Sequence, residues 1–354
     1  MQADKNTSIF LKDLADITMG QSPAGSSMNE RTGMEFHQGK TNFGSVFLNC
    51  SKVKTNAPTK MANKDDIVIC VRAPVGVVNI TNRKICIGRG LAALSPKELV
   101  DRDYLFYALQ ASQKAVEKLA AGSTFSSIPG PELCKLELPK QTYEKQKSIG
   151  RALSSADKAI AILEKQISKY EHIKKSTEKM LLTPKPGWKE VKIRDCLDYE
   201  QPTDYIVHTD INASSGTTPV LTANKAFVLG YTDETNNIYN KGDTIIYDDF
   251  TMDMKYVTFP FKVKSSAMKI LTPKGENNLY FMFALLKSFG LTQQEHARSY
   301  ISKLEPMKIL IPDPATQETI AENLYTIDSY LENLKHQLDK IKKLKQGLMS
   351  YFFG

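Results

Sequence analysis

The feature that most constrains this chain is a helical seam that occurs twice. Between Thr142 and Leu182, apolar residues fall at Ile149, Leu153, Ala156, Ile160, Leu163, Ile167 and Tyr170, in alternating steps of four and three. That is the a/d spacing of a coiled coil. After Tyr170 the rhythm slips, with Ile173 following by three and then Thr177 and Met180. Adding 171 to each number gives Ile320, Leu324, Ile327, Leu331, Leu334, Leu338, Ile341, Leu344, Leu348 and Tyr351, so the seam and its break in phase both recur. Such a break locally overwinds a coiled coil, and shared slips do not arise readily in unrelated helices. The chain reads as an internal duplication: a globule over 1–140, a helix over 141–182, a second globule over 183–313 and a second helix over 314–354.

A helix from 142 to 182 is about 60 Å long at 1.5 Å per residue. Its seam residues would each cost roughly 1.5–3 kcal/mol if left in water, so the helix needs a partner. Its own duplicate is the obvious one. Antiparallel packing puts one globule at each end and gives a pseudo-twofold axis. The expected fold class is α+β: two globular α/β-mixed domains separated by two long helices forming an antiparallel coiled coil. Such an object is a ruler. At about 3.4 Å per base pair, its rod would span roughly one to two turns of DNA, which suits a split, asymmetric site with an unread gap.

The globules share a frame. Lys241-Gly-Asp-Thr-Ile-Ile-Tyr247 parallels Lys64-Asp-Asp-Ile-Val-Ile-Cys70, and Met268-Lys-Ile-Leu-Thr-Pro273 parallels Leu91-Ala-Ala-Leu-Ser-Pro96. Tyr280-Phe-Met-Phe-Ala-Leu parallels Tyr104-Leu-Phe-Tyr-Ala-Leu, and Ile309-Leu-Ile-Pro312 parallels Leu136-Glu-Leu-Pro139. Asp66–Val71 reads as a buried strand; 77–80, 85–87 and 91–94 read as shorter ones. A helix is expected from Tyr104 to about Ala120. Ala73 to Arg89 bears no likeness to Asp248 to Lys264, so the frame is kept while exposed loops, which carry function on rigid scaffolds, have diverged.

Charge points to a polyanion partner. The chain carries +8, of which residues 1–140 hold +5 and 141–182 hold +4, while 183–313 hold −1 and 314–354 hold 0. An excess of this kind favours nucleic acid. The five cysteines, Cys50, Cys70, Cys86, Cys134 and Cys196, are scattered and never paired as CxxC. Reduced thiols in the cytoplasm are therefore expected, rather than a disulfide framework or a zinc site. No apolar run reaches eighteen residues, and the first ten residues lack the basic and apolar regions of a signal peptide.

In its order of parts the sequence resembles the specificity (S) subunit of a type I restriction–modification system. The residues that carry the resemblance are the Met19-Gly-Gln-Ser-Pro loop, Gln38-Gly-Lys40, Ala121-Gly-Ser-Thr-Phe-Ser-Ser-Ile, and the exits ending at Pro139 and Pro312. The helix openings Gln146/Ile149/Leu153/Asp157 and Gln317/Ile320/Leu324/Asp328 belong to the same set. The resemblance implies two target-recognition domains and two conserved helices, in a non-catalytic reader of double-stranded DNA. Its implied partners are two methyltransferase (M) subunits and, for cleavage, restriction (R) subunits, either separate or fused into one enzyme. S-adenosylmethionine, ATP and Mg would belong to those partners, and no cofactor or metal is expected in this chain. The second globule departs from the family at its front, with Tyr199-Glu-Gln-Pro-Thr in place of the Gly-Gln-Ser-Pro loop.

The residues themselves support no catalytic site. There is no P-loop and no Pro-Pro for a methyltransferase loop. Asp248, Asp249 and Asp253 fit a turn better than a metal site, and Glu190-Val-Lys192 fits a strand edge. The five histidines, His37, His172, His208, His296 and His336, make no ligand pair. DNA contacts call for Arg, Lys and small polar residues on loops. The candidates are Gln21, Ser22, Lys40, Arg72, Arg89 and Ser123 in the first globule, and Lys225, Asp249, Lys255 and Arg298 in the second. Phe106 and Tyr280 are expected in the core. The helix-pair seam is expected at Ile149, Leu153, Ile160, Leu163 and Ile167 against Leu324, Leu331, Leu334, Leu338 and Ile341.

Two other classes share this architecture: a coiled-coil scaffold tethering two protein-binding globules, and a stand-alone DNA-binding regulator. A scaffold shows no salt-dependent DNA affinity, and a regulator binds tightly without partner subunits. A chain truncated from Thr183 onward leaves Ile149, Leu163 and Ile167 exposed and is expected to dimerise or aggregate. Sedimentation as a clean monomer would count against the helix pair.

Overall fold

The computed structural model describes residues 8–121, 127–212, 215–223, 227–292 and 298–354. It divides into two compact units, one of residues up to Lys165 with His336–Gly354, the other of Gln166–Lys335. Helices Tyr143–Leu182 and Pro314–Phe353, of 40 residues each, coincide with the duplicated seam. Each unit includes a segment of both.

In the first unit, strands Ala15–Met19, Leu91–Pro96, Ile67–Cys70 and Val78–Ile80 form an antiparallel sheet in that order. Its central strands are buried on both faces, which is why they read as continuous apolar runs rather than alternating ones. Ile67, Ile69, Ala92 and Leu94 face the helices, whereas Val68, Cys70, Leu91 and Ala93 face a second, five-stranded sheet. In that second sheet Met34–His37 runs parallel to Ile85–Ile87. The helix Arg102–Ala111 starts at Asp101, whose carboxylate accepts the Tyr104 N–H at 2.8 Å. Strand Ser8–Phe10 pairs with Glu137–Pro139 and joins the start of the globule to its exit.

The second unit repeats this arrangement. Leu197–Glu200, Met268–Pro273, Thr244–Asp248 and Met254–Val257 form an antiparallel sheet in the corresponding order. Thr218–Leu221 runs parallel to Lys262–Val263 in a second sheet. Lys189–Lys192 pairs with Lys308–Ile311, and Asn278 caps Leu279–Ser288 through the Phe281 N–H at 2.8 Å. The sequences of Ala73–Arg89 and Asp248–Lys264 are unlike, yet both make a hairpin strand and then a strand of the second sheet. Topology is conserved further than residue identity shows.

The openings of the long helices are built into the globules. Ile149 and Leu153 lie in the core of the first unit, joined by Leu348, Met349, Phe352 and Phe353 from the other helix's end. Ile320, Ala321 and Leu324 do the same in the second unit, joined by Leu181 and Leu182. Gln146 and Gln317, both buried, clasp each opening. Each side-chain oxygen accepts the N–H of the residue that caps the globule's helix, Asp101 or Asn278, at 3.0 Å. Each amide group donates to a backbone carbonyl, of Gln141 or Pro312, at 3.0 Å.

Within each unit the two helix segments run antiparallel. In the first, Asp157 meets Lys345 at 2.6 Å and Glu164 meets Lys342 at 2.8 Å. In the second, Asp328 meets Lys174 at 2.5 Å and Glu171 meets Lys335 at 2.8 Å. Tyr170 and Tyr330 stack with ring centroids 4.5 Å apart. Leu163, Ile167, Leu324, Leu331 and Leu334 are buried, and Ile160, Leu338 and Ile341 half-buried. Beyond the slip the expected seam opens. Ile173, Leu344, Met180 and Tyr351 are 38%, 59%, 62% and 67% exposed, while Leu348 of the same repeat packs into the first core. The expected helix from Tyr104 to Ala120 is likewise two helices, Arg102–Ala111 and Gln113–Ala121, broken at Ser112.

Each unit also contains a three-residue lock. The Tyr107 hydroxyl donates to Asp157 at 2.6 Å, and the Lys345 ammonium that pairs with Asp157 lies 5.3 Å from the Tyr107 ring centroid. Tyr280 donates to Asp328 at 2.6 Å, and Asp328 pairs with Lys174. Burial, with the neighbouring carboxylate, raises both tyrosine hydroxyls above their ordinary range. Asp157→Ala is expected to cost about 1–3 kcal/mol by stranding Tyr107 and Lys345. Asp328→Ala should cost a similar amount, with both read as a lower thermal midpoint. An unchanged midpoint for either would show that the lock adds nothing.

Candidate nucleic-acid interface

In the first unit, three loops meet at one corner of the central sheet. Gly20 N–H donates to the Leu91 carbonyl at 2.9 Å and Gln21 N–H to that of Ile87 at 3.0 Å. Ser22 donates to the Gln38 side chain at 2.9 Å, and Arg89 N–H reaches the Ser22 hydroxyl at 3.4 Å. The approach is close because it is made by glycines: a Cβ on Gly20 would run into the Gly88 carbonyl, and one on Gly90 into that of Gln38. Glycine is the residue that permits backbones to come this near. Val71 N–H donates to Gly90 at 3.0 Å, and its carbonyl accepts from Ile128 at 2.9 Å, which places Arg72 beside the same loops. That same Cβ on Gly90 would lie 3.8 Å from the Gly39 Cα, so Lys40, the next residue, also lies close to this corner.

The structure thus brings together Gln21, Ser22, Lys40, Arg72 and Arg89; Ser123 lies outside the described residues. Lys60 was missed. The Thr59 hydroxyl donates to the Gln21 carbonyl and the Lys60 carbonyl accepts from Ile87 at 2.9 Å, which places an exposed cation on this surface. Its stretch, Ala57-Pro-Thr-Lys60, carries a proline turn signal but no glycine, and nothing local to it indicates the neighbouring loop. Lys40, Lys60, Arg72 and Arg89 make no ion pair among the described residues. The segments 19–23, 38–40, 57–60, 71–76 and 88–90 contain no carboxylate.

The second unit builds the same corner from different residues. Asp249 N–H donates to the Ala267 carbonyl at 2.9 Å, and its carbonyl accepts from Ser299 at 2.8 Å. Those are the two bonds Val71 makes, so Asp249 occupies the place of buried Val71, Phe250 that of Arg72, and Arg298 that of Ser127, the residue bridged to Arg72. Asp249 is therefore corrected from an expected surface contact to a buried group, 1% exposed. Its carboxylate accepts the N–H groups of Ser299 and Tyr300 at 3.0 and 2.8 Å and pairs with buried Lys269 at 3.4 Å. Arg298 and Phe250 are exposed at this corner. Lys255, half-buried on a strand, pairs with Asp253 at 3.7 Å, and Asp253 also holds Lys287 at 3.0 Å. Lys225 lies outside the described residues. Asp248 closes a turn by accepting from Phe250 and Thr251 at 2.9 Å, and Glu190 pairs with Lys308 across a two-stranded sheet.

In each unit an ion pair fixes the second sheet. Burial opposes the charge on Glu35, yet hydrogen bonds from Arg83 and from Ser51 N–H hold its carboxyl down at about 2. Arg83 bonds both Glu35 oxygens, at 3.0 and 2.6 Å, and the Asn49 carbonyl at 2.9 Å, pinning the 48–51 loop. In the second unit the Lys262 ammonium, at 2.9 Å, and the N–H groups of Thr209 and His208 hold Glu234 at about 2.

The chain belongs to the type I restriction modification DNA specificity domain family, whose profile matches residues 4–172 and again 185–343. A Methanocaldococcus jannaschii protein named "Putative type I restriction enzyme MjaX specificity subunit" is 43% identical over 171 residues, 48% of this chain and 40% of that protein. The type I restriction enzyme EcoR124I/EcoR124II specificity subunit of Escherichia coli is 40% identical over 148 residues, 40% of this chain and 36% of that one. The matches span two fifths or less of either relative's length. In fold, the chain is similar to the crystal structure of the S subunit of a type I restriction-modification system from M. genitalium. That match has a TM-score of 0.76 at 17% identity and covers all of this chain and 98% of that one. No helix of the described residues is long and apolar enough to cross a membrane.

Because Glu35 is held at about 2 against an ordinary 4.5, its contribution to stability is present above pH 4.5 and is lost as pH falls toward 2. Glu35→Gln is therefore expected to lower the thermal midpoint at pH 7, with the gap to wild type closing between pH 4.5 and 2. A gap that stays constant with pH would show that the carboxylate charge is not what holds Arg83.

Proposed function

We propose that this chain is the DNA sequence-reading subunit of a type I restriction–modification system, reading a bipartite, asymmetric double-stranded site and directing methyltransferase and restriction subunits to it. One observation carries the reading. The two backbone bonds that hold Val71 at the first corner recur at Asp249 in the second unit, with exposed residues beside them that differ: Arg72, Arg89 and Lys40 in one, Phe250 and Arg298 in the other. A frame kept twice with unlike corners is suited to two unlike half-sites. The clustered cations without carboxylates suit phosphate contact and base-edge bonding. The chain itself is a non-catalytic cytoplasmic protein on this reading, and S-adenosylmethionine, ATP and Mg are used by its partners. The long helices set the gap between half-sites and offer their charged faces to the methyltransferase subunits.

The test is single-molecule methylation mapping of DNA from cells carrying the cognate methyltransferase, with and without this chain. A methylated motif of two unlike halves with a fixed gap should appear only when the chain is present; methylation indifferent to it rejects the proposal. Arg72→Ala and Arg89→Ala are each expected to reduce the slope of log affinity against log salt by about one, measured on the assembled complex with cognate DNA. Unchanged slopes would remove this corner from the interface.

A further inference from the structure

The two corners are supported differently. Beneath the first lie apolar residues: Val71 and Ala92 are both buried, and Met19 fills the space beside Gly130. By strand register the corresponding places in the second unit hold Asp249, Lys269 and Gln201. Lys269 is fully buried, and it links two loops. Its ammonium donates to the Gln201 side chain at 2.9 Å and pairs with Asp249 at 3.4 Å. It also lies 5.8 Å from the Tyr199 ring centroid. Asp249 in turn clamps the N–H groups of Ser299 and Tyr300, next to exposed Arg298. Ser299 is itself tied by its hydroxyl to the Asp249 carbonyl at 2.7 Å and to the Tyr247 hydroxyl at 2.6 Å.

A buried ion pair of this kind is a poor source of stability, since well-packed apolar residues of similar volume often serve as well or better. The first unit shows that the frame closes without one. What the pair adds is direction: a carboxylate accepting two successive backbone N–H groups fixes the path of the chain that carries Arg298. Displacements of about 1 Å in a supporting shell are enough to spoil a recognition geometry.

We propose that Asp249 and Lys269 are positioning residues for sequence readout by the second domain, holding the Arg298 segment and the Gln201 loop in register with each other. This rests on the reading of the second domain as a half-site reader. The experiment measures competition binding by the chain in complex with its methyltransferase subunits. The competitors are duplexes altered in the first half-site or in the second. If wild type discriminates neither half, the half-site reading itself fails.

With wild type discriminating both, Asp249→Val combined with Lys269→Met removes the clamp and the charge together. Discrimination at the second half is expected to fall roughly tenfold, about 1.4 kcal/mol, with the first half and the thermal midpoint unchanged. Asp249→Asn combined with Lys269→Met keeps an oxygen for both N–H groups and should retain second-half discrimination. Should the Val/Met variant not fold, Asp249→Ser with Lys269→Met, whose shorter side chain cannot reach both amides, is read the same way. Full second-half discrimination in a folded variant lacking the clamp, or an equal loss at both halves, overturns the assignment.

Discussion

Everything in this structure depends on where the apolar seam of each long helix is buried. A 40-residue amphipathic helix has no single surface of its own to cover it, and here the covering is divided. The opening turns sink Ile149 and Leu153, or Ile320 and Leu324, into a globular core, and the closing turns of the other helix complete that core with Phe352 and Phe353, or Leu181 and Leu182. Further along, pairs within each unit join the two helices, Glu164 with Lys342 in the first and Tyr170 with Tyr330 in the second. Neither globule is finished without both helices, so the helices are structural parts of the domains as well as spacers. The Tyr–Asp–Lys locks mark that dependence: each takes a tyrosine from the globule, an aspartate from one long helix and a lysine from the other. The aspartates and lysines are spaced by 171 residues, as the seam positions are.

Much of the frame could be read in the sequence because it is made of periodic burial. Central strands buried on both faces announce themselves as apolar runs, and a repeated heptad with a repeated slip identifies the duplication. The seam failed where periodicity ceased to report burial. Past the slip the helix ends are turned by the globule's core, so Leu348 packs while Leu344, four residues earlier, faces solvent. The break at Ser112 was hidden because helix-compatible residues continue on both sides of it. The likeness of the hairpins at 78–80 and 254–257 was hidden for the opposite reason. Hydrogen-bonded register fixes those strands, and their side chains are free to differ.

The candidate corner was legible wherever glycine and cations coincide. Gly20 and Gly90 mark backbones packed together, and Gln21 and Arg89 sit beside them in sequence, with Lys40 two residues after Gln38. Arg72 was found from its position after a buried strand. Asp249, expected at the surface of the second domain, is buried instead. The strand anchors at Lys64 and Lys241 are offset by 177, which aligns Asp249 with exposed Arg72, whereas the backbone bonds align it with buried Val71. An error of one residue in a strand turns a side chain from solvent to core, and an acidic residue gives no hint from sequence that it is the buried one.

The two corners also divide the physical labour of polyanion binding. Counted over the compact units, the first carries a net charge of +10 and the second −2. Under the proposed function, the counterion-release part of DNA affinity, which carries no sequence information, therefore falls mainly to the first unit. In the second, Lys262 and Lys269 are buried in internal pairs, and Lys255, Lys241 and Lys287 are tied to carboxylates. Its contribution leans more on shape and on the groups it holds at fixed positions, Arg298 and Phe250 among them. A reader with little electrostatic attraction gains nothing from a loosely held contact, because no diffuse affinity makes up for poor geometry. The domain that is weaker in charge is therefore the one in which rigid support matters most, and it is there that the structure replaces an apolar pair with a buried carboxylate, an ammonium and two clamped backbone amides.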